Sequence, residues 1–498
     1  MGALTIAETI AIEAAAKANG WSEEQLLNLA GERLGHAIGR YFRRPGTIIG
    51  YLGKGHNAGD ALVALRVLQD QFGWKIGIRH AYHFTQWAPL TQKKWDELGL
   101  RLPFDRTPAW RDLEGPLVLL DGLLGSGSSG ELRAPLIQLA AEMELLRQEA
   151  GARVAAVDLP SGIDPDSGEI FESTVTADVT FMIGNAKSGL IHGHAAAACG
   201  ALAIVPVEPL TASGSSDLEL IAPQILNFGK SPRPFDFHKG MAGRVAVVAG
   251  SENYVGAAVL AATGALRGGA GLITLFTPNS VKHLIAAKCP PEIIVRGFED
   301  PREVLETRFD ALVAGCGLGD LVKPMAAGLI DLLANSPAPT VIDADALNLI
   351  ARANRLEILN GNHVLTPHPG EFARLAPDFG GLSREEAVRR FVERIPATLL
   401  LKGCRTIVAR KGHPLRCNST GTPALATGGQ GDLLAGVLGA RLAFGESPVD
   451  AACLAAWVCG RSAEIATDER HQSEESLTPR EVLHFLGAAF GDWRTSNR

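Results

Sequence analysis

The chain has 498 residues, 46% hydrophobic and 20% charged, with 56 glycines. That excludes a disordered or fibrous polypeptide and leaves length for roughly two to four domains, two large ones included. Lys and Arg total 47 against 54 Asp and Glu, a net charge of −7, which argues against a general attraction to nucleic acid or acidic membranes.

The seven cysteines form no CxxC pair and read as buried, reduced thiols. Glu8 and Glu13 stand where a signal peptide is basic and apolar, and no run of 18 apolar residues occurs. A soluble cytoplasmic protein is expected, with no membrane or nucleic-acid partner.

Strand-like runs alternate with helical patterns at TIIGYLG (47–53), GWKIGIRH (73–80), PLVLLDG (116–122), ARVAAVDLP (152–160) and ADVTFMIG (177–184). This alternation predicts a mostly parallel sheet with helices on both faces. The pattern lapses between Pro209 and Phe237, so residues 1–210 form one expected domain, 211–236 a linker and 237–498 a second domain. There the alternation restarts with GRVAVVAGS (243–251), GLITLFTP (271–278), FDALVAGCGLG (309–319), PTVIDADALN (339–348), HVLTPHPGEF (363–372) and ATLLLKG (397–403). The fold class is α/β in both halves.

In the first half, GYLGKGHNAGD (50–60) sets a glycine-rich turn before an amphipathic helix, where free backbone N–H groups can meet an anion. Such a turn is structural about as often as functional, and the Walker Lys-Ser/Thr is absent. Asp121, Asp158 and Ser161 close neighbouring strands; singly, each aspartate reads equally well as a turn cap. Together Asn57, Asp121 and Ser161 offer hard oxygen donors suited to a cation.

The motifs HNAGD (56–60), VLLDGLLGSGSSG (118–130), AVDLPSGIDPDSG (156–168) and GNAKSGLIHGHAAAACG (184–200) resemble the epimerase domain of the NAD(P)H-hydrate repair enzymes, implying a Rossmann-like three-layer αβα domain. The resemblance implies a potassium ion on Asn57, Asp121 and Ser161. It also implies hydrate contacts at His56, Asn57, Ala58, Gly59, Asp60, Gly125, Ser126, Gly127, Ser128, Ser129, Gly130, Glu131 and Asp158, with Asp158 the candidate for proton transfer. His56 and Ala58 depart from the usual Asn-Asn-Gly-Gly-Asp.

In the second half, TPALATGGQGDLLAGVLGARLA (422–443) delivers Asp432 into the first turn of an apolar helix through a glycine-rich loop. A carboxylate beside a bound phosphoryl group can take a proton from an attacking hydroxyl; the plain alternative is an acidic residue stabilising a helix N-terminus. His368 lies between two prolines, and Lys402 with Gly403 closes another strand. Each alone reads more readily as structural, Lys402 as an exposed hairpin residue.

With AGCGLG (314–319), VIDADALN (341–348), LTPHPGEF, LLKGCRT and ATGGQGDLLAG, this half resembles the dehydratase domain of the same family, which is ribokinase-like. The resemblance implies ADP contacts at Lys402, Gly403, Cys404, Arg405, Thr406 and Gly431. It implies hydrate contacts at Ala258, Gly319, His368 and Asp432, with Asp432 the catalytic base, and Mg2+ on the diphosphate. Cys316 replaces a usual proline and Gln430 a usual threonine or serine. The implied function is repair of hydrated NADH and NADPH (NADHX and NADPHX): the first domain interconverts the R and S hydrates at C6, and the second dehydrates the S form with ADP, giving AMP and phosphate. A homo-oligomer is expected. Two readings compete: a ribokinase-like small-molecule kinase with a non-catalytic N-terminal binding domain, and a persisting interaction or RNA-binding module.

Overall fold

Short apolar runs become parallel strands and the helices between them cover both sheet faces, in each of two units, 1–220 and 221–498. The computed structural model describes residues 2–99, 113, 115–128, 130–212, 216–470 and 472–495.

The first unit begins with β1 (Ala3–Leu4), α1 (Ile6–Ala18), α2 (Glu23–Tyr41), β2 (Thr47–Leu52), α3 (His56–Phe72), β3 (Lys75–His80) and α4 (Pro89–Leu98). It continues through β4 (Leu117–Gly122), α5 (Leu136–Ala150), β5 (Arg153–Val157), β6 (Val179–Ile183), β7 (Ala186–Lys187), α6 (Ser188–Ile191), α7 (Ala196–Cys199) and β8 (Ala201–Val205). Six strands form one parallel sheet in the order β3-β2-β4-β5-β6-β8. All six residues of β2 are buried, as a strand covered on both faces requires. Ile48, Leu52, Val118 and Leu120 pack toward α2 and α3, while Ile49, Tyr51, Leu119 and Val154 pack toward α5, so two apolar layers sandwich the sheet. The chain reverses direction of travel at β2, flanked by β3 and β4, and the crevice at such a point opens beyond the carboxyl ends of the strands.

Strand β9 (Leu218–Ile221) spans the division between the units, and the second unit continues with β10 (Arg244–Val248), α8 (Val255–Arg267), β11 (Leu272–Pro278), α9 (Lys282–Ala286), β12 (Ile294–Phe298), β13 (Ala311–Ala314), α10 (Lys323–Asn335), β14 (Thr340–Ile342) and α11 (Ala344–Arg352). Next come β15 (His363–Leu365), α12 (Pro369–Leu375), α13 (Arg384–Arg394), β16 (Thr398–Leu401), β17 (Ile407–Ala409), β18 (Leu415–Asn418), α14 (Gln430–Ala443), α15 (Pro448–Arg470) and α16 (Pro479–Thr495). The sheet order is β12-β11-β10-β13-β14-β15-β16-β17-β18-β9, parallel through β16 and antiparallel across β16, β17 and β18. Its reversal point is β10, between β11 and β13.

Helices α8 and α14 cross through small residues. A Cβ on Gly436 would lie 2.0 Å from the Ala261 carbonyl oxygen, so that position admits only glycine at this separation. The C-terminal helix is part of the same core: Trp493 is fully buried and its Nε1 donates to the Leu226 carbonyl at 2.7 Å.

The division between the compact units falls within the expected linker 211–236, which also holds a short strand. Residues 218–221 form β9, because pairing at the sheet edge buries Leu220 and Ile221 despite the polar context, and the boundary between the compact units falls at 220/221. Among the described residues no helix is long and apolar enough to cross a membrane.

Candidate active sites

In the first unit, the sheet reversal point carries a cavity of about 480 Å³. Helix α3 starts at His56 behind a glycine N-cap with no side-chain cap, leaving its first N–H groups available to a ligand. The helical period then sorts the HNAGD residues: His56, Asn57 and Asp60 line the cavity, whereas Ala58 is fully buried in the core and Gly59 packs on Leu27. Gly125, Ser126, Gly127 and Ser128 line it too, while Gly130 and Glu131 lie outside its wall and Ser129 lies outside the described residues. Of the positions expected to contact the hydrate, Ala58, Gly59, Gly130 and Glu131 are thus not among the residues that line this cavity.

Asp121, Ser161 and Asn57 belong to one hydrogen-bond chain. Ser161 donates through its backbone N and Oγ to the Asp121 carboxylate, both at 2.7 Å, and Leu123 N donates to it at 3.2 Å. Asn57 Nδ2 donates to the Leu124 carbonyl at 2.8 Å, and Leu124 N donates to Ser161 Oγ at 2.9 Å. Burial pushes the Asp121 carboxyl up to about 6 against the pull of these donors. The three side chains offer only oxygen ligands, one carboxylate, one amide oxygen and one hydroxyl, and the chemistry of that set fits a weakly charged hard cation such as K+.

Asp158 sits just past β5 with φ of +67°, a left-handed conformation costly for a non-glycine residue. Its Oδ1 accepts from Ile183 N at 2.9 Å and from Lys187 Nζ, which also donates to the Ile183 carbonyl at 2.9 Å. Lys187 is 1% exposed. Burial first, then the Asp158 and Glu13 charges, push the Asp60 carboxyl well above the usual range. Partial enclosure and then Asp158 push Glu13 upward.

In the second unit, Asp432 occupies the first turn of α14 behind Gly429, whose φ of +91° and approach to Leu260 demand glycine. Burial, reinforced by Asp343, pushes the Asp432 carboxyl up to about 6, against a hydrogen bond with Cys316 and the Lys402 charge. Lys402 Nζ donates to Asp343 Oδ1 at 2.8 Å and lies 3.9 Å from Glu371 Oε2. Burial lowers the Lys402 ammonium, but Asp343 and Glu371 outweigh it and the net shift is upward. A Cβ on Gly431 would lie 3.2 Å from Lys402 Nζ, so lysine and helix terminus face one point. Lys402 does lie in a hairpin, between β16 and β17, yet its side chain turns inward and is only 20% exposed.

The Lys402–Thr406 loop is pinned by Arg384, whose NH1 donates to the Cys404 carbonyl at 2.6 Å, and by Thr406 Oγ1 donating to the Gly403 carbonyl at 3.1 Å. Cys404 is exposed, whereas Arg405 is 8% exposed with φ of +52°. His368 caps α12, its Nδ1 accepting from Gly370 N at 3.0 Å, which puts the ring proton on Nε2. Gly319 N donates to Asp345 at 2.8 Å. The Ala258 methyl is fully buried in the α8 core against Gly250. Cys316, Asp343 and Asp432 present ligand atoms within 4.8 Å of one another. Lys402 already neutralises Asp343 and the third group is a thiol, so this trio does not fit a Mg2+ cage.

A family model described as NAD(P)H-hydrate dehydratase matches residues 245–483, and one described as YjeF-related protein N-terminus matches residues 23–189. A "Bifunctional NAD(P)H-hydrate repair enzyme Nnr" from Gloeobacter violaceus is 36% identical over 90% of each chain. Its namesake from Methanopyrus kandleri is 34% identical over 97% of this chain and 95% of its own. The chain belongs to the family of bifunctional NAD(P)H-hydrate repair enzymes. A solved structure of the ADP/ATP-dependent NAD(P)H-hydrate dehydratase from Bacillus subtilis, co-crystallised with ATP and Mg2+, is 26% identical with a TM-score of 0.48, covering 56% of this chain and 100% of that one.

In this NAD(P)H-hydrate repair chain, Lys187, Glu13, Asp343 and Glu371 have no role that the sequence alone points to, yet the fold brings all four to the two sites. The signal for two of them was present, since Lys187 lies in GNAKSGL and Asp343 in VIDADALN at a strand end.

Proposed function

We propose that the first unit interconverts the R and S hydrates of NADH and NADPH at C6, and that the second dehydrates the S hydrate at the expense of ADP. The observation that carries the second half is Asp432 at the open terminus of α14, with the Lys402 ammonium held toward the same point. Lys402 and the first N–H groups of α14 bind the diphosphate. Asp432 accepts the C6 hydroxyl proton as that oxygen bonds to the β-phosphorus and AMP departs. Loss of phosphate from C6, driven by the ring nitrogen, and loss of a proton from C5 restore the 5,6 double bond. Mg2+ would screen charge on the diphosphate, carried by the nucleotide. In the first unit, Asn57, Asp121 and Ser161 would hold K+, whose charge orders the loop after Asp121 around the hydrate.

The test incubates the full chain with mixed-epimer NADH hydrate, K+, Mg2+ and either ADP or ATP, following recovery of reduced-nicotinamide absorbance and release of phosphate. Complete recovery supports both activities, and recovery halting at the S fraction removes the epimerase. A stable phosphoester without recovered absorbance points to a ribokinase-like kinase instead.

A further inference from the structure

Lys187 is almost fully buried yet lines the cavity, and its ammonium pairs with Asp158, another lining residue, in a cavity also lined by Asp60 and Glu13. The pair is assembled from two strand ends: Asp158 follows β5, Lys187 ends β7, and the Ile183 backbone at the end of β6 bonds both. A buried lysine–carboxylate pair contributes little stability compared with apolar packing of the same volume. This one is also held on a strained aspartate backbone, a combination found mostly where chemistry requires it.

We propose that Lys187 and Asp158 are the acid and base of epimerisation, acting by ring opening; the proposal rests on reading this cavity as the epimerase site. C6 of the hydrate carries both a hydroxyl and ring N1. Asp158 takes the hydroxyl proton, the oxygen pair forms a C6 carbonyl, and the C6–N1 bond pair moves onto N1, which takes a proton from the Lys187 ammonium. The product is an open-chain aldehyde bearing an N–H. Rotation about C5–C6 turns the other carbonyl face to N1, which attacks it. The N–H proton returns to the Lys187 amine and Asp158 returns its proton to oxygen, so the ring closes as the other epimer and no co-reactant is consumed. Arginine, which does not release its proton, cannot replace lysine in this scheme.

The experiment follows interconversion of a single hydrate epimer by the full chain without nucleotide, in wild type, Lys187→Arg, Lys187→Met and Lys187→Ala. Interconversion falls at least about 100-fold in all three variants, while ADP-dependent dehydration of the S epimer stays at the wild-type rate and the K+-dependent melting shift persists. Ethylamine restores part of the rate to Lys187→Ala. Wild-type interconversion in Lys187→Arg overturns the proposal, because a fixed positive charge then suffices, and that variant decides the matter if Lys187→Met fails to fold. A wild type that does not exceed the spontaneous rate overturns the epimerase reading itself, and this proposal with it.

Discussion

The Lys402 ammonium lies 2.8 Å from Asp343, and the same Asp343 carboxylate helps raise the carboxyl of Asp432. One buried aspartate therefore both orients the cation proposed to meet the nucleotide and adds to the burial that raises the basicity of the group proposed to accept the substrate proton.

Asp432→Asn is expected to lower ADP-dependent dehydration by about 100- to 10,000-fold, the usual contribution of a positioned base, with epimer interconversion unchanged in the same sample. The wild-type rate falls as pH drops through about 6, because the base is then protonated. The sign for stability is opposite. A carboxyl raised from 3.8 to about 6 by folding destabilises the native state above that range, by about 3 kcal/mol. Folding regains that amount as pH falls from 6 toward 4. Asp432→Asn therefore stabilises the chain at pH 8 and not at pH 4, which denaturant titration at both pH values checks.

Asp343→Asn moves the acidic limb of the dehydration profile to lower pH, since the like charge that raises Asp432 is gone. It also frees Lys402 from its partner, and the KM for ADP rises. Lys402→Met raises that KM by roughly 10- to 100-fold, the worth of a charge-assisted hydrogen bond. Steady-state kinetics across pH 5 to 9 separates the two effects.

Replacing K+ by Li+ lowers the epimerase rate and the melting temperature of the first unit. Asp121→Asn removes the K+-dependent part of both, because the one carboxylate in the donor set is lost. Differential scanning fluorimetry against KCl and LiCl reads this directly, and equal curves in both salts would remove the cation from the site.

Gly436→Ala is expected to destabilise the second unit by about 1 to 3 kcal/mol, because its Cβ would press on the Ala261 carbonyl and push α14 from α8. Since α14 carries Asp432, dehydration falls as well, while epimerisation holds.

The parallel strands of both sheets were legible where apolar runs end in turn residues, as at TIIGYLG and VIDADALN, and ligand-facing groups collect at those ends. What escaped the reading has physical causes. Strand β12 (IVRGF) is a half-exposed edge with Arg296 and Gly297 in it, and β17 has only three residues, so neither gives a long apolar run. Lys187 looks like a surface residue in sequence; only the turn after β6 and the two-residue pairing of β7 with β1 bury it beside Asp158. Ala58 and Ala258 show the other side of the same point, because a motif names positions while the helical period turns both of these methyl groups into the core.

Two units with separate sheets and cores lie on a single chain, which fixes their synthesis at one to one whatever the level of expression. If the two activities are as proposed, the flow from one epimer to the other and onward cannot be adjusted by making more of either catalyst. It can be adjusted only by substitutions within a unit, or by the supply of potassium to one and nucleotide to the other.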